Sequence, residues 1–121
     1  MQKVILDTSF ILTAIKCKID ILAELTRILD EKFSIFYIDK SMNELANKPA
    51  GKLALALLKN MKASPIETNV DKNVDSLLID YAEAHPNDII ATQDRALKEK
   101  LKKRNTRLIT IRQKTHLMRV N

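Results

Sequence analysis

The sequence predicts an α/β protein with a central parallel sheet of four to five strands and helices on both sides. Two observations support this fold class: short apolar runs recur along the chain, and amphipathic segments of helical period separate them. Strands that alternate with helices of this length favour a parallel sheet with both faces covered. The chain of 121 residues contains no long Gly, Ser or Pro linker, so one domain over 1–121 is expected.

Four runs, at 4–6, 35–38, 89–91 and 108–111, have the composition of buried strands. They are β-branched or aromatic and lack polar alternation, as expected when both sheet faces are covered. A weaker fifth strand is predicted at 64–67. Apolar residues at helical spacing predict helices around 21–29, 54–61, 74–82 and 97–101, the last of which is otherwise almost wholly Lys and Arg.

The composition excludes several classes of protein. Hydrophobic residues make up 45% of the chain, but no apolar run reaches the ~20 residues that cross a bilayer, so no membrane partner is expected. No export signal is recognisable at the N-terminus, which favours a cytoplasmic protein. The lone Gly51 is incompatible with a glycine-rich phosphate loop, and His85 and His116 do not lie in a zinc-ligand spacing.

Charge is distributed unevenly along the chain. The C-terminal segment 95–121 has ten Lys or Arg and one acid, whereas residues 1–94 have eleven Lys or Arg and fourteen acids. An acidic body with a basic segment suits a protein that handles a polyanion. The alternative interpretation of such a segment is a solvated helix face.

Four acids share the same position relative to the predicted elements. Asp7 and Asp94 follow strands, and Glu44 and Asp75 lie near helix starts. In a parallel sheet these positions meet at the carboxyl edge, so the four carboxylates are expected to converge there. Oxygen ligands without Cys or His select a hard cation, Mg²⁺ or Mn²⁺, which supports metal-assisted phosphodiester hydrolysis.

Each acid also has a structural alternative. Asp7 and Asp94 have the positions of helix caps, Asp75 lies in a first helical turn, and "SMNE", which ends at Glu44, has the pattern of a capping box. The hydroxyls of Ser9 and Thr92 are placed to orient Asp7 and Asp94 by hydrogen bonds, while capping is the alternative role for Ser9. Mutual repulsion among four carboxylates favours a bound cation over four separate caps.

These motifs resemble those of the PIN domain nucleases. "VILDTSFIL", "MNELA", "NVDSLLIDYA" and "IIATQDRALKEKL" resemble the four motifs of the family in order. The continuation "RLITIRQKTHL" is more similar to the archaeal branch related to small-subunit rRNA processing nucleases than to the shorter VapC toxins. The resemblance implies a Rossmann-like sheet, a Mg²⁺ or Mn²⁺ site, cleavage of RNA and frequently a homodimer. The metal-binding and catalytic acids that it implies are Asp7, Glu44, Asp75 and Asp94.

One position departs from the family pattern. Many relatives have an acid where this chain has Ser76, either instead of or beside the one at Asp75. If the position of Ser76 is the ligand site, this chain has lost an acid, which favours an alternative function as a binding module with a weak metal site. Asp80, one turn further, is a possible substitute. For RNA binding, the basic segment offers five candidates: Arg95, Lys98, Lys102, Lys103 and Arg104. A toxin with an antitoxin partner and an rRNA-processing factor with a ribosome-assembly partner are both compatible with the sequence.

Overall fold

The computed structural model describes residues 1–120, which contain six strands in one sheet. The strands in chain order are β1 (Gln2–Leu6), β2 (Phe33–Ile38), β3 (Ser64–Ile66), β4 (Ile89–Ala91), β5 (Arg107–Arg112) and β6 (His116–Arg119). Their order across the sheet is β3-β2-β1-β4-β5-β6. The first five strands are mutually parallel, and β6 is antiparallel to β5. The predicted fold class is therefore confirmed.

In the described part of the chain, six helices connect the strands and cover both faces of the sheet. They are α1 (Thr8–Lys16), α2 (Ile21–Ile28), α3 (Ser41–Ala46), α4 (Gly51–Asn60), α5 (Val74–Ala84) and α6 (Arg95–Lys102). One core cluster joins the sheet to α1, α2, α3 and α4, and a second joins it to α5 and α6. None of the helices within residues 1–120 is both long enough and apolar enough to span a membrane.

Strand β1 shows why the strands lack polar alternation. Successive side chains point to opposite faces of the sheet, so Val4 and Leu6 lie in the first core cluster and Ile5 in the second. All three residues are 0% exposed. A strand buried on both faces must be apolar at every position, and this continuous run is what the sequence shows.

The weaker fifth strand predicted at 64–67 corresponds to β3, whereas the sequence patterns do not predict β6. The hairpin between β5 and β6 turns at Gln113 and Lys114, which both have positive φ (54° and 59°). Two successive turn residues with positive φ are usually Asn-Gly or a similar pair. Because Gln-Lys is not a usual turn pair, nothing local predicts a hairpin after β5.

Helix ends in this chain lack the usual glycine. Lys18, Lys62 and Asn105 have φ between 56° and 57°, and each follows a helix that ends with backbone hydrogen bonds of the Schellman type. Non-glycine residues in this conformation are uncommon, with asparagine the best tolerated. Since the chain has one glycine, these positions are filled by lysine and asparagine.

Candidate active site

The candidate site lies at the carboxyl edge of β1 and β4. The chain leaves β1 towards β2 on one side of the sheet, and β4 lies on the other side, so the strand order reverses between β1 and β4. Open α/β sheets bind ligands at such a switch point. Leu6 pairs with Ala91 at the ends of these strands, and the N–H of Asp7 donates to the carbonyl of Ala91 at 2.9 Å.

Asp7 is held at this point by two hydroxyl groups. Its side chain is buried, and Oδ2 accepts hydrogen bonds from Ser9 Oγ and from Thr92 Oγ1, both at 2.7 Å. Within residues 1–120, Oδ1 receives no hydrogen bond. Asp7 precedes α1 but makes no side-chain capping bond. The capping alternative therefore does not describe this residue, whose second oxygen is open to a ligand.

Asp94 caps a helix and contacts the same network. Its Oδ1 accepts from the N–H of Leu97 at 3.1 Å, as an N-cap of α6 does. Its own N–H donates to Thr92 Oγ1 at 3.1 Å, so one hydroxyl links Asp94 to Asp7. No residue of the described chain donates to Asp94 Oδ2. Capping and ligand binding are thus compatible in this side chain, because each uses a different oxygen.

Gln93, between Thr92 and Asp94, was missed by the sequence analysis. Its N–H donates to Ser9 Oγ at 3.2 Å, and its Oε1 accepts from Thr110 Oγ1 at 2.6 Å and from the N–H of Ile111 at 2.5 Å. These bonds fix the end of β4 against β5. Only its position between two candidate residues could have indicated this role.

The expected capping box before Glu44 does not form. The N-cap residue of α3 is Lys40, with no side-chain capping bond. Ser41 is the first helical residue, fully buried, and its hydroxyl has no hydrogen-bond partner within residues 1–120. Glu44 therefore does not bond back to the start of its helix, and its carboxylate is available for other contacts.

Glu44 and Asp75 are electrostatically coupled to the other two acids. Partial burial and then the negative charges of Asp7 and Asp75 raise the pKa of Glu44. The buried Thr8 hydroxyl opposes this shift, although it completes no hydrogen bond of normal geometry. Partial burial and the charges of Asp7 and Asp94 raise the pKa of Asp75 in turn. The four carboxylates thus form one repulsive cluster centred on Asp7.

Asp75 and Ser76 lie in the first turn of α5, which begins at Val74 and has Asn73 as its N-cap. Asn73 Oδ1 accepts from the N–H of Ser76 at 2.8 Å, which leaves the carboxylate of Asp75 free of capping. Asp80 pairs with Lys72 at 2.8 Å on the exposed surface and contributes to neither raised pKa. The acid of α5 that belongs to the cluster is therefore Asp75.

The five candidate RNA-binding cations fall into two groups. Arg95 and Lys98 lie in the first turn of α6, next to Asp94, and Lys98 Nζ donates to Thr110 Oγ1 at 3.3 Å. The other three, Lys102, Lys103 and Arg104, lie at the far end of the helix, about 10 Å away at ~1.5 Å per residue. Arg104 is paired there with Glu83 at 2.6 Å.

Repulsion in the cluster predicts a pH-dependent effect of Asp75→Asn. In the metal-free protein this change removes one charge, so at pH 7 the variant is expected to have a higher unfolding midpoint than the wild type. The raised pKa of Asp75 means that the folded state binds a proton more readily than the unfolded state, so its unfavourable contribution fades as the pH falls. The difference between the two proteins should shrink towards pH ~4, near the ordinary carboxyl pKa.

Chemical denaturation of both proteins between pH 4 and 7, with chelator present, measures this difference. Asp80→Asn is the matched control, because Asp80 pairs with Lys72 outside the cluster. An Asp75→Asn variant less stable than the wild type at pH 7 would contradict the repulsion.

The fold and the site place this protein in the class of open-sheet α/β proteins with an acidic cluster at the switch point. The chain belongs to the PIN family: the family model described as "PIN like domain" matches residues 4–114. This confirms the resemblance of the four sequence motifs.

Two known proteins are similar over nearly the whole chain. Ribonuclease VapC4 of Methanocaldococcus jannaschii is 34% identical over 127 residues, covering 96% of this chain and 95% of the relative. The solved structure of the PIN domain endonuclease Utp24 has a TM-score of 0.88 and 23% identity, covering 98% of this chain and 90% of that structure. At this identity, the likeness to Utp24 is one of fold.

Proposed function

We propose that this chain is a divalent-metal-dependent endoribonuclease that hydrolyses phosphodiester bonds. The observation that carries the proposal is the state of Asp7: one oxygen is fixed by Ser9 and Thr92, and the other receives no hydrogen bond within residues 1–120. Two acids whose pKa values are raised by partial burial and by the charge of Asp7 lie around it. A cation relieves this repulsion and uses the open oxygens.

The donor chemistry fits Mg²⁺ or Mn²⁺, with water completing the coordination. In the described part of the chain, no three His, Cys, Asp or Glu side chains lie close enough to bind one ion directly. Mg²⁺ is usually held by one or two carboxylates and keeps several waters, so a close cage is not required. The buried hydroxyl of Thr8, which has no partner within residues 1–120, is placed beside Glu44 to bond such a water.

The residues have separate roles in this proposal. Asp7, Glu44, Asp75 and Asp94 would hold the ion together, one or two of them directly and the others through its bound water. When bound, a divalent ion polarises a phosphate oxygen, lowers the pKa of an attacking water and stabilises the leaving alkoxide. Ser9 and Thr92 fix the orientation of Asp7, and Arg95 and Lys98 attract the phosphate backbone near the site. The relative named as a ribonuclease supports RNA as the substrate.

The variant Asp94→Asn tests this function without loss of the helix cap. Asparagine caps helices as well as aspartate does, so α6 should remain intact. The Mg²⁺- or Mn²⁺-dependent cleavage rate of single-stranded RNA is expected to fall by ~10²-fold or more, equivalent to ~2.7 kcal/mol. Chelator should abolish cleavage by the wild type. Asp80→Asn, the matched control outside the cluster, should retain the wild-type rate.

The alternative function is RNA binding without cleavage, and Ser76 is the observation that favours it, because the family resemblance implies an acid at this position in many members. If Mn²⁺ produced neither heat nor a thermal shift while RNA still bound with steep salt dependence, this alternative would replace the nuclease. Cleavage that persists in chelator would exclude the metal-dependent mechanism.

Two cellular roles are compatible with the proposed activity. One is a toxin that an antitoxin inhibits, and the other is an RNA-processing nuclease that works with ribosome-assembly factors. A homodimer is proposed in either role. A reading frame of antitoxin size directly upstream of the gene would favour the toxin, and its absence would favour RNA processing.

A further inference from the structure

A pocket of about 790 Å³ lies between the end of α1 and the β5–β6 hairpin, and Cys17 and Ile111 form the apolar part of its lining. Its polar lining consists of Thr13 and Lys16 from α1, Gln93 from the loop after β4, and Gln113 and Lys114 from the hairpin turn. None of the described residues that line it is acidic. We call this site the Lys16–Lys114 pocket.

The pocket shares a wall with the acidic cluster. The N–H of Gln93 donates to Ser9 Oγ at 3.2 Å, and Ser9 Oγ donates to Asp7 Oδ2 at 2.7 Å. Two hydrogen bonds thus separate the pocket wall from the open carboxylate of Asp7. The Gln93 side chain is itself fixed by Thr110 and Ile111, so the wall is rigid on the side of the sheet.

Both lysines are available to an anion. Lys16 and Lys114 are exposed, and within residues 1–120 neither ammonium group has a hydrogen-bond or ion-pair partner. By contrast, Lys98 of the basic helix donates to Thr110, and Arg104 is paired with Glu83. Two free cations with no acid beside them attract a polyanion more effectively than paired cations do.

The hairpin turn holds Lys114 in an uncommon conformation. Gln113 and Lys114 have φ of 54° and 59°, and the turn is closed by a hydrogen bond of 3.2 Å from the N–H of Thr115 to the carbonyl of Arg112. Glycine or asparagine is the usual choice at these positions. Lys18 and Lys62 adopt the same conformation at helix ends, so the role of the turn here is to fix the backbone of Lys114 at the edge of the pocket.

We infer that the Lys16–Lys114 pocket binds the phosphate backbone of the RNA strand on one side of the cleaved bond. The inference deepens the proposed function, because it assigns a substrate contact to a pocket beside the same site. The lysines supply charge, and Thr13, Gln93 and Gln113 supply hydrogen bonds to phosphate and ribose oxygens. A lysine in the last turn of a helix is also favoured by the helix dipole, so the test must measure RNA binding as well as stability.

The test compares two double variants in an Asp7→Asn background, which prevents cleavage during binding. Lys16→Ala with Lys114→Gly removes both pocket cations. Lys59→Ala with Lys62→Gly is the matched control, because Lys59 lies in the last turn of α4 and Lys62 has φ of 56°. The control pair lies just before the start of β3, the outer strand on the side of the sheet away from β5 and β6. Glycine at either positive-φ position should preserve the fold or raise its unfolding midpoint.

The dissociation constant of a short single-stranded RNA is measured as a function of KCl. The salt slope is the change in log affinity per unit change in log KCl concentration, and each lost phosphate contact reduces its magnitude by ~0.7 for single strands. The pocket variant is therefore expected to have a slope smaller by ~1.4 and an affinity about tenfold lower at low salt. The control should keep the slope of the parent. Equal slopes in all three proteins, or equal losses in both double variants, would overturn the inference.

An RNA-cleavage assay of the wild-type protein, in which Asp7 is intact, separates this inference from the proposed function. If the wild-type protein does not cleave RNA, but the salt dependence of RNA binding falls in the pocket variant and not in the control, the pocket is a binding site and the nuclease proposal fails. If that protein cleaves RNA and the pocket variant keeps its slope, the pocket inference fails alone.

Discussion

The variant Asp7→Asn is expected to lose RNA cleavage by ~10³-fold or more, equivalent to ~4 kcal/mol of transition-state stabilisation. Oδ2 of Asp7 accepts hydrogen bonds from Ser9 and Thr92, and Oδ1 has no donor within residues 1–120. If the asparagine carbonyl replaces Oδ2, its NH₂ group points where the carboxylate offered an anionic oxygen. If the amide is reversed, the NH₂ group faces two hydroxyls that must then turn away.

Either orientation removes a negative ligand from the centre of the cluster. The loss should therefore appear both in the cleavage rate and in Mn²⁺ binding followed by thermal shift, while circular dichroism remains that of the wild type. Asp30→Asn is a suitable control, because Asp30 is exposed and lies just before the start of β2, at the amino ends of the parallel strands and away from the site. A folded Asp7→Asn protein that cleaves RNA at the wild-type rate would disprove the central role of Asp7.

The variant Gly51→Ala is expected to be destabilised by ~3 kcal/mol, and its unfolding midpoint should fall by roughly 10 °C. A Cβ at this position would lie 1.8 Å from the carbonyl oxygen of Leu45 and 2.9 Å from its carbon. These are backbone atoms at the end of α3, and the side chain of Leu45 is 0% exposed, so α3 cannot move without disturbing the core. Gly51 has no positive φ, and its constraint is therefore one of space.

The same displacement should impair the site, because α3 also carries Glu44. Scanning calorimetry measures the stability, and the cleavage rate of the folded fraction at low temperature measures the effect on the site. Lys52→Ala is the control: Lys52 is exposed beside Gly51, and its replacement should change stability by less than about 0.5 kcal/mol. If the thermal unfolding midpoint of Gly51→Ala matched that of the control, α3 and α4 would be able to move apart without loss of folding free energy, which would contradict the prediction.

Much of the fold could be predicted because its signals are local. The continuous apolar run that contains Val4 and Ile5 predicts a strand covered on both faces, and α5 follows from its apolar stripe. The position of Asp7 after β1 and of Asp94 after β4 likewise needs only the strand boundaries. The turn at Gln113 and Lys114 could not be predicted, because neither residue is a usual choice for positive φ.

Contacts at the site depended on distant parts of the chain. The capping box before Glu44 satisfies the local pattern, but α3 starts one residue from where that pattern requires, with Lys40 at the N-cap. Near that point, the carboxylate of Asp39 is engaged by Thr68 at 2.6 Å, a residue of the loop after β3. A capping-box pattern in the sequence carries no information about a hydrogen-bond partner that lies in a loop distant along the chain.

The sequence by itself determined most elements of this protein, though not β6, and the ends of the strands at which its acids lie, since hydrophobic period and chain order suffice for these. Only the tertiary structure decided which oxygen of Asp7 is fixed and which is open, and that Lys16 and Lys114 line one pocket beside it. The physical reason is that crossovers and packing set the direction of each side chain, and these depend on residues far apart in the chain.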